Sequence, residues 1–453
     1  MEADIGMGRV VTIANRLRSL ALSLAFSRGM QRLRRGMAEV ARRLRRRPHA
    51  VSAFIELDDP YSYLLCSYLR EFTAFYDVQL GVYLTEALSD TYRPAPQLYP
   101  EYAQRDCRRL ARELGIPFLD RGDTPPVEHR RGLLAALAAR QGDDDFDEQI
   151  YQAVTAYWRG DSEAVARRAR ESGDDADAML ARNQRRLKRL GHYNTAMLHY
   201  AGEWYWGVDR LHYLIDRLDA LGARTEAGLA PRIASISQVM RVDLPVKPPA
   251  AGKDLPPIEL FFSFRSPYSY LSLEPVFRIA DAFGVRVDLR PVMPMAMRGM
   301  PVPRTKLKYI VTDASREARR RGVPFGRVAD PIGPGVERLM AVFPYAAGQR
   351  RERDFVLAAG RAVWSRAVDV TSDKGLRKVT AKAGLFWPEV VDALADEGWR
   401  RAAEKNRAAM MAAGSWGVPT VRVGDFTCWG QDRDWLLARH LEERCDGGEG
   451  ILI

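Results

Sequence analysis

The sequence predicts an α/β protein in which one strand-and-helix unit is used twice. Three pairs of matching stretches carry that prediction. Asp59-Pro60-Tyr61-Ser62-Tyr63-Leu64 returns, 207 residues on, as Ser266-Pro267-Tyr268-Ser269-Tyr270-Leu271. At the same offset, Tyr102, Asp106, Arg109, Gly115, Pro117 and Phe118 answer to Tyr309, Asp313, Arg316, Gly322, Pro324 and Phe325. Gly191 to Arg210 and Gly414 to Arg433 are equal in length, and each closes on Trp-Gly-x-Asp-Arg. Three collinear matches mark an internal repeat.

Each element follows from local pattern. In the first unit, residues 49–222, an apolar run predicts a strand near 51–57, and Pro60 suits the first turn of the next helix, where its missing N–H is no loss. Val78 to Leu84 reads as a second strand. A helical stretch is expected from about Pro100 to Leu218, broken by Asp-Gly turns, with Trp204-Tyr205-Trp206 assigned to a hairpin core. Residues 223–254 read as a linker, because Pro231, Pro245, Pro248, Pro249 and Gly252 sit among few bulky side chains; Ile233 to Val242 is a candidate short helix within it. In the second unit, residues 255–445, strand Ile258–Phe264 leads to a helix from Pro267. A strand at Val285–Leu289 follows, then helices from about Thr305 to Ala413. A hairpin of Thr420–Val423 and Phe426–Trp429 turns at Gly424-Asp425, and a final helix has Asp432 or Asp434 as its cap. This order is a thioredoxin-like layout with a helical insertion after the second strand.

The net charge of +11 is not spread evenly. Residues 1–49 hold 12 arginines against Glu2, Asp4 and Glu39, so the remainder is close to neutral. A nucleic-acid-binding reading of the domains therefore loses its footing. The arm, residues 1–48, repeats apolar residues at helical spacing: Ile13, Leu17, Leu20, Leu24, then Leu33, Met37, Val40, Leu44. It reads either as a solvated or domain-docked basic helix, or as an interfacial helix touching anionic lipid. Its longest apolar run, Leu20 to Phe26, is too short to span a bilayer. Cys66, Cys107, Cys428 and Cys445 form no C-x-x-C pair and read as reduced thiols of a cytoplasmic protein. His129, His192, His199 and His212 lack metal-site spacing and read as core or surface residues; no metal site is expected.

Phe262-Ser263-Phe264-Arg265-Ser266-Pro267-Tyr268-Ser269-Tyr270-Leu271 resembles the opening motif of the 2-hydroxychromene-2-carboxylate isomerases, relatives of the kappa-class glutathione transferases in the DsbA-like thioredoxin superfamily. Lys306-x-x-Tyr309-x-x-x-Asp313-x-x-Arg316, Gly322-Val323-Pro324-Phe325, Gly417-Val418-Pro419-Thr420 and Trp429-Gly430-Gln431-Asp432-Arg433 are similar to the family's later motifs. The resemblance covers 256–440, and the first unit carries a weaker version.

The resemblance implies two tandem DsbA-like domains and a glutathione-dependent isomerase or transferase acting on an electrophilic aromatic or conjugated small molecule. Where redox relatives have two sulfurs, this chain has Ser266-Pro267-Tyr268-Ser269, so dithiol exchange at this site is ruled out. Ser266 stands at a helix start, where N–H groups and the dipole favour an anion, and a hydroxyl there can donate to the glutathione thiolate. The plainer reading of Ser266 is an N-cap. Val418 and Pro419 are expected to form a cis pair whose backbone takes the peptide like an added strand; the plainer reading of Pro419 is a strand-initiating proline. Asp432 with Gln431 would hold the γ-glutamyl end, although a helix cap also fits Asp432. Lys306 would meet a carboxylate, or is a solvated helix lysine. The family's loop asparagine is missing before Lys306; Arg265 and Arg304 are candidates to supply charge instead.

In the first unit Ser266 is replaced by Asp59, Pro419 by Ala196, Gly417 by Asn194, Lys306 by Tyr99 and Gln431 by Val208. That copy is expected to be inert and structural, either imitating the second subunit of a dimer within one chain, which could be monomeric, or covering the active cleft. An acid-base role for Asp59 is the weaker reading. The competing view of the whole chain is a non-catalytic thioredoxin-fold scaffold whose Arg-rich arm contacts a membrane or partner.

Overall fold

The computed structural model describes residues 23–24, 27–90, 92–93, 95–118, 127–169, 176–225, 236, 238–249, 254–300 and 302–448. Much of the arm and the middle of the linker, including Ile13, Leu17, Leu20, Pro231 and Gly252, lie outside these. Among the described residues, one compact unit runs from Arg34 to Arg241, and the other from Val242 onward together with the residues up to Leu33.

Helix α1 (Arg28–Leu44) crosses the Leu33/Arg34 boundary; the first unit continues with strand β1 (His49–Ile55), helix α2 (Pro60–Phe75) and strand β2 (Val78–Leu84). Helices α3 (Tyr99–Glu113), α4 (Val127–Arg140), α5 (Phe146–Trp158), α6 (Ser162–Ala169) and α7 (Ala176–Arg189) follow, then hairpin β3 (Met197–Tyr200) and β4 (Glu203–Trp206), and helix α8 (Leu211–Asp219). The broken helical stretch expected to Leu218 gives way after α7 to the hairpin expected around Trp204-Tyr205-Trp206, where Ala201-Gly202 forms a tight turn with both residues at positive φ. The expected linker is ordered at its start: Asp77 donates its N–H to the Ala223 carbonyl and Thr225 to that of Phe75. Ile236 is fully buried, and Ile236, Gln238 and Val239 are helical.

The second unit runs β5 (Ile258–Phe262), α9 (Pro267–Phe283) and β6 (Val287–Pro291). The insertion comprises α10 (Arg304–Arg320), α11 (Pro334–Gly348), α12 (Glu352–Trp364), α13 (Asp373–Lys382), α14 (Trp387–Ala395) and α15 (Trp399–Ala412). The hairpin β7 (Thr420–Val423) and β8 (Phe426–Trp429) and helix α16 (Asp434–Cys445) close it. Strand β6 starts two residues later than its apolar pattern predicts. Gly284 ends α9 in the left-handed conformation, and Val285 turns back to donate to the Ala280 carbonyl, so it belongs to the helix end.

Each unit holds a four-stranded sheet with one strand order, β2-β1-β3-β4 and β6-β5-β7-β8. The first two strands of each are parallel and the remaining pairs antiparallel. Central strands β1 and β5 are buried almost throughout, which their near-continuous apolar runs require. The likeness reaches single bonds. The Tyr61 hydroxyl donates to Asp106 and that of Tyr268 to Asp313, at 2.8 and 2.9 Å. Tyr63 donates to the Pro117 carbonyl and Tyr270 to that of Pro324. The Ser62 and Ser269 hydroxyls accept from Glu56 N and Ser263 N.

Candidate functional site

The site is built where α9 begins. Ser266 is extended (φ −88°, ψ 118°), and its Oγ accepts from Ser269 N at 3.1 Å, so it is the N-cap; Pro267 opens the helix. Its other contact is the Val418 carbonyl oxygen, 3.5 Å away. At that length the hydroxyl proton is held weakly and can be redirected to a better acceptor. Ser266 and Val418 are both half-buried, within reach of solvent.

Sheet register sets this pairing. Phe261 of β5 lies opposite Thr420 of β7, so the chain entering β7 passes the start of α9. The Val418–Pro419 peptide is cis. The Val418 side chain packs on Phe261, Val292 and Met410. Thr420 Oγ1 donates to the Gly417 carbonyl at 2.7 Å and meets Ser415 Oγ at 2.6 Å. Gly417 has a packing reason: a Cβ there would lie 2.6 Å from Trp429 Nε1, against the ring that also meets Trp416 at a tilt.

The loop after β8 is tied to the same segment, because Gly430 N donates to the Pro419 carbonyl at 2.9 Å. Gly430 sits at φ +111°, and a Cβ would meet Asp432 Oδ1 at 2.5 Å. Neither Asp432 nor Asp434 caps α16, contrary to the sequence expectation. The cap position falls on Arg433, with no side-chain bond. Asp434 is turned instead to Arg321, which also donates to the Gln431 carbonyl at 2.8 Å. Asp432 is thus not engaged in capping. Gln431 is buried, and its amide donates inward to Glu317 at 3.4 Å, so its side chain braces the loop.

Lys306 stands in the first turn of α10. That helix is held to α9 by Tyr268 and Asp313, and to the β8–α16 loop by Arg321. Burial pushes the Lys306 ammonium down to about 8. Arg265, a candidate to supply charge, is instead locked in a bidentate pair with Asp330 at 2.8 and 2.9 Å. Arg304 is exposed at the start of α10. Sequence reading passed over Arg298, in the loop before α10. It is half-buried, its Nε has no hydrogen-bond partner among the described residues, and burial lowers its pKa. A long basic side chain after a Met-rich run was the only signal available.

The equivalent place in the first unit is filled. Asp59 caps α2, accepting from Tyr61 N, Ser62 N and Ser62 Oγ. Thr195, the counterpart of Val418, bridges two buried carboxylates, donating within 3.1 Å of Glu56 and 3.4 Å of Asp59. Burial, and next the charge of Asp59, raises Glu56 to about 8; burial raises Asp59 to about 6. Tyr99, the counterpart of Lys306, is held well above its ordinary pKa by burial, then by Asp59 and Glu56. His192 and His199 pack on Trp204 at ring separations of 4.5 and 4.6 Å, and burial lowers both. Among the described residues no cluster fits a metal ion, and no helix is long and apolar enough to cross a membrane.

A family model, the DSBA-like thioredoxin domain, matches residues 257–442. The second unit is a DsbA-like thioredoxin domain. The chain is similar to the 2-hydroxychromene-2-carboxylate isomerases of Pseudomonas putida and Sphingobium xenophagum. Identity is 24% over 196 residues (42% of this chain, 95% of the relative) and 27% over 192 residues (41% and 97%) respectively. It is also similar to glutathione S-transferase kappa 1 of Rattus norvegicus, at 26% over 214 residues, covering 42% of this chain and 92% of the relative.

The Glu56–Asp59 pair gives the first unit a definite pH dependence. The folded pKa of Glu56, about 8, exceeds its ordinary 4.5, so between these values the native state holds more protons than the unfolded chain. Stability therefore falls as pH rises through that window. Glu56→Gln keeps an acceptor for Thr195 and removes the charge. We expect it to flatten the fall in unfolding midpoint between pH 5 and 8, with a gain on the order of a few kcal/mol at the upper end. A variant with the wild-type slope would contradict the assignment.

Proposed function

We propose that the DsbA-like domain binds glutathione and uses its thiolate as a nucleophile, with Ser266 as the group that stabilises it. The observation that carries this is the Ser266 hydroxyl at the N-terminus of α9, bonded only loosely to the Val418 carbonyl and open to solvent. The helix dipole and first-turn N–H groups favour negative charge there. A hydrogen bond to a charged acceptor contributes about 1.5–3 kcal/mol, which favours the thiolate over the thiol.

The other groups take the rest of the tripeptide. The Val418 backbone meets its peptide groups in the manner of an added strand. Asp432 accepts from the γ-glutamyl ammonium, with Gln431 fixing the loop beneath it. Lys306 meets a carboxylate, which restores the charge that burial disfavours. The substrate is a conjugated or aromatic electrophile. The sulfur lone pair forms a C–S bond at an electrophilic carbon, and the displaced π pair moves to the conjugated oxygen. A double bond becomes single and rotates. Return of the electrons expels the thiolate and leaves an isomer; release of the adduct would make the same site a transferase.

The first unit, with its matching strand order and hydrogen bonds, is proposed as a diverged copy of the second. Asp59 would repel a thiolate at the place where Ser266 would attract one. Its role is structural, and one ligand per chain is expected.

Titration calorimetry with glutathione tests this. Wild type should bind one equivalent per chain, and Ser266→Ala should weaken binding of the thiolate form about 10- to 100-fold. Binding of two equivalents, or unchanged affinity in Ser266→Ala, would sink the assignment. S-methylglutathione, which has no thiol, isolates Lys306. Because the Lys306 pKa lies near 8, affinity should decline as pH rises through 8 and the lysine loses its charge. Lys306→Gln should bind more weakly below pH 8 and lose that part of the pH dependence.

A further inference from the structure

Helix α1 carries an apolar stripe that nothing among the described residues covers. Leu33, Met37, Val40 and Leu44 recur at i, i+4, i+7 and i+11, which places them within about 60° of the helix circumference at about 100° per residue. Their exposures are 56, 64, 58 and 80%, and no residue of α1 is buried. Bulky side chains left in water in a continuous row mark a binding surface rather than scattered surface leucines.

The opposite face has a protein contact. Arg35 makes a bidentate pair with Glu203 at 2.7 Å for both bonds, and lies about 170° round from the stripe centre. Glu39 is held by Arg42 and Arg43. The stripe is therefore turned away from the Arg35–Glu203 contact.

Charge decides what fits the stripe. Residues 28–47 contain nine arginines and one acid, Glu39, which the neighbouring arginines already engage. Arg32 and Arg43 are exposed on one flank of the stripe, Arg34 on the other, and Arg45, Arg46 and Arg47 extend from the helix end. A second copy docked on this stripe would face one arginine row with another. A nucleic acid would meet the arginines but leave four apolar side chains without a partner. An anionic bilayer suits both: the apolar row enters the headgroup–acyl boundary while the long arginine side chains reach out to phosphates.

We propose that α1 docks the protein, lying in the plane of the membrane, on bilayers that contain anionic lipid. The stripe enters the lipid and the flanking arginines bind its headgroups. This surface is separate from the Ser266 site and does not depend on the glutathione reading.

The test is co-sedimentation of the full chain with phosphatidylcholine vesicles with and without phosphatidylglycerol. Wild type should pellet with the anionic vesicles, not with phosphatidylcholine alone, and less as salt rises. A variant combining Leu33→Ser, Met37→Ser, Val40→Ser and Leu44→Ser should bind about tenfold or more weakly. Its thermal unfolding should match wild type, because the changed residues are exposed. Arg32→Gln with Arg34→Gln and Arg43→Gln should lose most anionic-lipid binding by a separate route. Three results would each overturn the proposal: no pelleting of wild type, undiminished pelleting of the serine variant, or a wild-type dimer in solution that the serine variant converts to monomer. Displacement from vesicles by a short duplex DNA, with the serine variant binding that DNA as wild type does, would assign the surface to nucleic acid instead.

Discussion

The pairing of β5 with β7 is the constraint on which the candidate site rests. Placing Phe261 opposite Thr420 brings residues 417–419 alongside the first turn of α9. From that register follow the approach of the Val418 carbonyl to Ser266 and the packing of Val418 on Phe261, Val292 and Met410. The next pairing, Thr420 with Trp429, carries the chain to Gly430, whose N–H returns to Pro419. The start of α9 and the two ends of the β7–β8 hairpin, 152 residues apart at Ser266 and Val418, are thereby fixed by one sheet. A slip of one residue would turn every side chain of β7 to the other face and dissolve the arrangement.

The first unit shows what the same frame does with different residues. Its register also brings Thr195 to the start of α2, but Asp59 and Glu56 fill the space with carboxylates that burial keeps partly protonated. Thr195 supplies a hydroxyl where Val418 supplies only a backbone carbonyl. Where the second unit has the half-buried Ser266 hydroxyl, loosely bonded to a backbone carbonyl, the first has an internal hydrogen-bonded network. The tyrosine pairs Tyr61–Asp106 and Tyr268–Asp313 are unchanged because they hold the insertion to the first helix, a need common to both.

Much of this was legible in the sequence, since the repeated features are local. An N-cap followed by proline, a Gly-Asp hairpin turn and buried central strands each depend on a few neighbouring residues. What escaped depends on distant partners. Asp432 and Asp434 both look like caps, and only Arg321, over a hundred residues earlier, shows why neither serves as one. Arg265 looks like a spare cation until Asp330 is seen beside it. Glu56 sits in an apolar run and attracts no notice until Thr195 and Asp59 converge on it. The two-residue shift of β6 has a local cause, the Gly284 turn, that the apolar pattern conceals.

If Ser266 is the group that holds the thiolate, bound glutathione must ionise more readily than glutathione in water. Thiolate absorbance in the ultraviolet, followed against pH for the saturated complex, reads this directly. The predicted result is an apparent thiol pKa below the ordinary value of about 8.5, moving back toward it in Ser266→Ala. Saturable binding with an unshifted thiol pKa in the wild-type complex would contradict it.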